Sequence, residues 1–283
     1  MAPNCVGLGL SLPLIWPDEN QIREWVMVMS DKNCGAALQM HDLLAAMSLL
    51  TRIPVPVDHD RAGQRAANAV WAYPVVGAFL GLIGGLVGGA LVALGVNGGI
   101  AAAAVIGVAV LLTGALHEDG VADCADGLGG GMTRERRMEI MKDSRIGAFG
   151  AVALMVVILA RWSGTQALLP QYWPVIFAVT GAASRLPMVL AMSMLPLASS
   201  AGMAARVGRP PMVSVALSIV LTAGISIALL GGSGAVILGI ACLAPVPLWW
   251  LARSKIGGYT GDILGASQQL AEIAALAAAT ALL

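Results

Sequence analysis

Residues 117–150 read HEDGVADCADGLGGGMTRERRMEIMKDSRIGAFG, and they decide how the rest of the chain is understood. The protein around them is apolar: of 283 residues, 58% are hydrophobic and only 11% charged. This one stretch holds seven of the 16 acidic residues and five of the 16 Lys and Arg. As a helix, it sets Asp119, Asp123 and Asp126 at i, i+4 and i+7. At ~100° per residue their carboxylates share one face about 60° wide. Like charges at that spacing repel, and a hard divalent cation such as Mg²⁺, which prefers oxygen ligands, relieves the repulsion. Gly129, Gly130 and Gly131 end the helix. Thr133 is placed to cap a second, basic helix carrying Arg134, Arg136, Arg137, Lys142 and Arg145. Acids facing guanidinium groups across a glycine hinge suit a metal with a diphosphate. A plain solvated loop explains the charge but not two Asp-Gly pairs with every aspartate in one register.

Outward from this stretch the chain reads as an all-α, polytopic helical bundle in a lipid bilayer, because soluble proteins carry roughly 25% charged residues. About seven spans of sufficient length follow: 73–95, 99–116, 148–169, 175–195, 212–230, 235–251 and 265–283. The first carries Gly77, Gly81, Gly85 and Gly89, the small-xxx-small spacing that lets helices approach closely. Residues 1–36 form a polar, proline-bearing extension without the basic start of a signal peptide. Residues 37–283 form one membrane-embedded domain. Residues 37–50 are too short to span and lie at the interface or enter the bundle part way.

Loops 96–98, 170–174 and 231–234 lack Lys and Arg, whereas the alternate segments contain Arg52, Arg61, Arg65, the 117–147 cluster, Arg206, Arg209, Arg253 and Lys255. The positive-inside rule puts that basic side, and the acidic stretch with it, in the cytoplasm. Formal net charge is zero, so no nucleic-acid partner is implied. Four scattered cysteines and three histidines offer no zinc-site spacing.

Arg161, Arg185 and Glu272 fall inside expected spans, where such residues pair with one another or face a substrate. Before the last span, Ile256–Ala266 reads IGGYTGDILGA; its glycines permit close approach to a ligand, with Thr260 and Asp262 the polar groups there.

Together these segments resemble the cobalamin synthases, the adenosylcobinamide-GDP ribazoletransferases. The likeness rests on His117-Glu118-Asp119-Gly120-Val121-Ala122-Asp123 with Asp126-Gly127, on Ile140-Met141-Lys142-Asp143-Ser144-Arg145 with Gly147, and on Thr51-Arg52-Ile53-Pro54-Val55-Pro56. Tyr73-Pro74 with Gly77, Arg185 with Leu195-Pro196, and Gly257-Gly258-Tyr259-Thr260-Gly261-Asp262 with Gly265-Ala266 support it. It covers about residue 40 to the end. After Leu197, Ser199 or Ser200 stands where the family pattern has an arginine.

The resemblance implies a multi-pass, Mg²⁺-dependent enzyme that closes vitamin B12 assembly. A hydroxyl of α-ribazole, or of its 5′-phosphate, attacks the phosphorus nearer the corrinoid in adenosylcobinamide-GDP, and GMP leaves. On this view Asp119, Asp123 and Asp126 hold the metal. Asp143 is either a further ligand or the base. Lys142, Arg145 and Arg137 stabilise the transferring phosphate or the departing GMP. His117 orients a carboxylate or binds substrate, with helix packing an equal alternative. Arg52, Arg185, Thr260 and Asp262 complete the expected substrate contacts. A homo-oligomer is compatible with the sequence. Two other readings remain: a CDP-alcohol phosphotransferase-like enzyme, suggested by Asp123-x-x-Asp126-Gly127, and a transporter with a charge-lined path.

Overall fold

In the computed structural model the described residues are 39–172 and 174–283, so the expected extension over 1–36 lies outside them. In chain order the helices are α1 Met40–Leu50, α2 His59–Arg65, a 3-10 turn at Asn68–Ala72, α3 Tyr73–Ala93, α4 Gly98–Thr113, α5 Leu116–Gly130 and α6 Arg134–Ile140. They continue with α7 Ala148–Tyr172, α8 Val175–Met194, α9 Met203–Val207, α10 Met212–Leu243, α11 Val246–Ile256 and α12 Gly261–Leu282. The β pairing among the described residues is one isolated parallel bridge between Leu197 and Tyr259. The fold is an all-helical membrane bundle, as the periodicity and composition predict.

Glycine sets its tightest contact. A Cβ on Gly77 or Gly81 of α3 would overlap the backbone oxygens of Gly181 or Phe177 in α8. The two helices therefore meet backbone to backbone, the close approach that small residues allow where lipid gives no hydrophobic drive. Against α8 packs α12, which also touches α5, α7 and α10 and so runs through the middle of the bundle. Its polar run explains that position: Ser267, Gln268 and Gln269 are fully buried, and such groups need protein rather than lipid around them.

By length and composition four helical stretches can cross a membrane, or five if α4 and α5 count as one broken span. The expected seven is not confirmed. One of the four is the 45-residue stretch Met212–Ile256. Gly231 within it takes φ +57 and ψ −135, and Gly234 closes onto the backbone of Ser226. Residues eight apart in a continuous helix are ~12 Å apart, so the chain reverses here and the stretch forms two antiparallel arms. α12 is not among these stretches, because its glutamines and Glu272 dilute an otherwise hydrophobic helix.

Short α1 docks rather than spans. Asp42 is fully buried and takes Arg65 of α2 at 2.8 Å, with Trp71 Nε1 also donating to it. Burial alone would raise this carboxyl, but the Arg65 and Trp71 hydrogen bonds and the Arg65 charge outweigh it and hold it below the usual range.

Candidate active site

The site begins at a break in the chain. Gly114 and Ala115 both adopt left-handed backbone, φ +65 and +58, and they turn α5 by 89° from α4. For Ala115 that conformation costs about 1 kcal/mol. Arg52 packs on Gly114, where a Cβ would overlap its side chain, and its N–H donates to Leu112 O at 2.6 Å. Arg52 therefore sits at the corner itself.

Two glycines then seat α5 on α12. A Cβ on Gly120 would lie 2.8 Å from the Asp262 carbonyl oxygen, and one on Gly265 3.2 Å from His117 Cα. This contact brings Asp262 against the aspartate face of α5. Asp126, at the far end of that face, serves α7. Its two oxygens accept N–H bonds from Gly147 at 2.7 Å and Gly150 at 2.9 Å. A carboxylate there satisfies orphan amides and complements the helix dipole.

The second helix is shorter than expected. Thr133 caps it by accepting from Arg136 N–H, but α6 ends at Ile140, and Lys142 and Arg145 lie beyond it. Its cations are mostly engaged. Arg134 donates to Ile256 O and Ala198 O, both at 2.9 Å. Arg137 donates to Lys255 O at 3.3 Å, and Lys255 Nζ donates to Leu128 O at 2.8 Å. These bonds close helix C-terminal carbonyls and pin α6 and α11 onto α5.

Beside this frame lies a cavity of about 350 Å³ whose wall includes His117, Asp119, Lys142, Thr260 and Asp262. Asp119 is exposed, while Asp123 and Asp262 are half-buried. The charges acting on Asp123 come from Asp119, Asp262 and Asp126, all of one sign. Burial, with the Asp119 charge, pushes the Asp262 carboxyl up, against a Thr260 hydroxyl bond that lowers it. Thr260 also caps α12 by accepting from Ile263 N–H. Among the described residues no three His, Cys, Asp or Glu side chains are yet close enough to ligate one ion. The donor set still fits Mg²⁺: it is all oxygen, none of the ion pairs among the described residues engages it, and this ion typically uses one or two carboxylates together with substrate phosphates.

The opposite side of α5 is wired into the bundle. Glu118 accepts from Arg161 at 2.7 Å and from Gln269 at 3.0 Å. Arg161 reaches Glu272 at 3.1 Å, and Arg185 lies 3.6 Å from Glu272. Arg185 also donates to Ser184 Oγ at 2.9 Å. Of the two alternatives for these intramembrane charges, the structure displays pairing, and Arg185 is buried away from the cavity.

The remaining expected residues divide as follows. Asp143 and Arg145 pair with each other at 2.7 Å, outside the cavity wall. The side-chain and backbone hydrogen bonds from Arg145 push the Asp143 carboxyl down to about 2, so it is a weak proton acceptor while paired. The cavity thus gathers His117, Asp119, Lys142, Thr260 and Asp262, with Asp123 coupled to them. It does not gather Arg52, Asp126, Arg137, Asp143, Arg145 or Arg185. Sequence reasoning missed five methionines in the wall: Met138, Met141, Met188, Met192 and Met203. Their spacing held a signal, since Met138 with Met141 and Met188 with Met192 sit at helical neighbour distances. It also missed Glu118 as an anchor, for which a pairing partner 43 residues away leaves no local trace.

Fold and site together define a polytopic helical membrane protein with an acid-lined cleft beside a turned helix. A model of the cobalamin-5-phosphate synthase family matches residues 42–280, and the chain belongs to that family. It is 44% identical to a Bradyrhizobium diazoefficiens protein named adenosylcobinamide-GDP ribazoletransferase, across 85% of this chain and 93% of that one. Proteins of the same name from Mesorhizobium japonicum and Vibrio parahaemolyticus are 40% and 36% identical, covering 85% and 86% of this chain and 93% of each relative. No solved structure matches it.

Proposed function

We propose that the protein transfers the adenosylcobinamide-phosphate moiety of adenosylcobinamide-GDP to α-ribazole, or to α-ribazole 5′-phosphate. GMP is released and adenosylcobalamin, or its phosphate, is formed. The enzyme works in the inner membrane with its cleft open to the cytoplasm, the side to which the basic segments belong. The observation that carries the proposal is the gathering of Asp119, Asp123 and Asp262, in which the charges acting on Asp123 and Asp262 are those of aspartates, beside a cavity that also presents Lys142.

In the transfer one P–O bond forms to the attacking hydroxyl, one breaks to GMP, and the hydroxyl loses its proton. Asp119 and Asp123, with Asp262 facing them, are the residues that would hold Mg²⁺. Asp126 retains lone pairs on its carboxylate, but its two amide bonds make it foremost the fixed end of the face. When bound, the ion neutralises the diphosphate and makes its phosphorus more electrophilic. Lys142 supplies positive charge at the cavity wall for the phosphate oxygens. Thr260 and Gly261 start α12 at the same wall, and Asp262 is held in place there by the Thr260 hydroxyl at 3.1 Å. Holding the hydroxyl and phosphorus in line converts a two-substrate encounter into a unimolecular step.

The test is direct. Protein purified in detergent is incubated with adenosylcobinamide-GDP, α-ribazole and Mg²⁺, and the corrinoid products are weighed by mass spectrometry. Adenosylcobalamin and GMP in equal amounts are expected, with turnover abolished by chelation. Undiminished turnover in the chelator would remove the metal; transport of substrate without GMP release would remove the transferase.

A further inference from the structure

The cavity has a character that phosphoryl transfer alone does not require. Met138, Met141, Met188, Met192 and Met203 form part of its wall, five of the 14 methionines in the chain. Met141, Met188 and Met192 are at most 5% exposed. His117 is also on the wall, 2% exposed, and its Nε2 is buried without a hydrogen-bond partner. Other buried nitrogens share that state, those of His41 and the Nε atoms of Arg137, Arg161 and Arg185, but His117 is the one among these residues that lines this wall, and a buried polar atom left unpaired calls for a partner.

Resting on the function proposed above, we infer that this cavity seats the α-ribazole nucleoside, its benzimidazole base among the methionines and within reach of His117 Nε2, while the corrin ring stays outside. Size discriminates between the two substrates. At about 350 Å³ the cavity is at the small end of ligand clefts, roughly 300–1,000 Å³. That is room for one nucleoside, whereas a corrin macrocycle bearing a nucleotide is several times larger. Chemistry points the same way. A flat aromatic ring with few polar atoms suits polarisable thioether walls, which favour sulfur–aromatic contact. The imidazole edge of the base carries a ring nitrogen for His117. The ribose then has Asp119, Thr260 and Asp262 of the same wall for its hydroxyls, next to where the diphosphate is to be held.

Methionine also predicts how selective the seat is. Unbranched thioethers repack around ligands of different outline, so nucleosides with and without the two ring methyl groups are accepted with similar efficiency. A cavity lined by branched side chains would discriminate more sharply.

Inhibition of the wild-type enzyme by free 5,6-dimethylbenzimidazole gives the first test. Competition against α-ribazole, and not against adenosylcobinamide-GDP, is expected. Competition against the corrinoid substrate would overturn the assignment. Met192→Phe and Met188→Phe, which narrow the cavity, give the second. Each should raise KM for α-ribazole by ~10-fold or more and leave KM for adenosylcobinamide-GDP within about twofold; a rise confined to the corrinoid substrate would again overturn it. Equilibrium dialysis of α-ribazole against protein without corrinoid reads binding directly, and saturable binding that His117→Phe weakens is expected. Wild-type protein that binds α-ribazole but turns over nothing would refute the proposed transfer while leaving the seat intact. Protein that turns over normally and ignores the cavity variants would refute the seat alone.

Discussion

Glu118 and Asp119 are adjacent on α5, and the fold treats their charges in opposite ways. Glu118 points into the bundle and meets Arg161 and Gln269, and Arg161 joins it to Glu272 and Arg185. Asp119 faces the cavity, and the charges coupled across its face belong to Asp123 and Asp262. The inward carboxylate has a guanidinium as near as 2.7 Å; the outward ones have one another. Buried charges that are paired with opposite ones resist rearrangement, whereas gathered like charges cost stability until something neutralises them. A rotation of about 100° around the helix therefore separates a residue that holds the protein together from one that faces the cavity and the proposed cation.

The strongest way to break this contrast is Asp123→Asn. If the outward face exists to bind a cation, turnover should fall by ~10²–10³-fold, the effect of removing one well-placed electrostatic group. The midpoint of thermal unfolding in detergent, without Mg²⁺, should stay level or rise, because a repulsive charge has gone. Near wild-type turnover at saturating Mg²⁺ would mean that Asp123 holds no metal; lowered stability would mean that it has a hidden structural partner.

Glu118→Ala probes the inward face, with the opposite signature. Removing one member of a buried pair leaves a charge uncompensated and typically costs ~3–5 kcal/mol. The unfolding midpoint should drop clearly below that of the wild type, with Glu118→Gln milder because it still accepts a hydrogen bond from Arg161. Protein that survives should keep most of its kcat at low temperature. A selective loss of kcat with an unchanged midpoint would move Glu118 into the chemistry and erase the distinction between the two faces.

Much of this contrast was legible in the sequence, for identifiable reasons. Helical period alone puts Asp119, Asp123 and Asp126 on one side of α5, and the glycines at 129–131 and Thr133 mark where it stops and α6 starts. Gly77 and Gly81 signal the close approach of α3 and α8. What escaped depends on distant partners. Asp126 looks identical to its neighbours until Gly147 and Gly150 bring their amides to it. The arginines of α6 look like phosphate ligands until the carbonyls of Ala198, Lys255 and Ile256 are placed beside them. The corner before α5 escaped for a different reason. Gly114 announces a turn, but Ala115 in left-handed backbone is a choice that packing imposes against local preference.

The smallest effect, and the one that sharpens the contrast most finely, belongs to Arg145. Its pair with Asp143 has short, well-aligned bonds, yet Arg145 is 87% exposed, so water and salt screen the attraction. Arg145→Ala should leave the unfolding midpoint unchanged, as should Arg136→Ala, which removes the exposed partner of Glu139. The two variants should part in activity. If Arg145 swings from Asp143 onto a phosphate when substrate arrives, its loss lowers kcat/KM by about tenfold and flattens the dependence of kcat/KM on salt, while Arg136→Ala changes neither. Equal, wild-type kinetics in both would assign the Asp143–Arg145 pair to the solvated surface and leave Lys142 as the cation that serves the cleft.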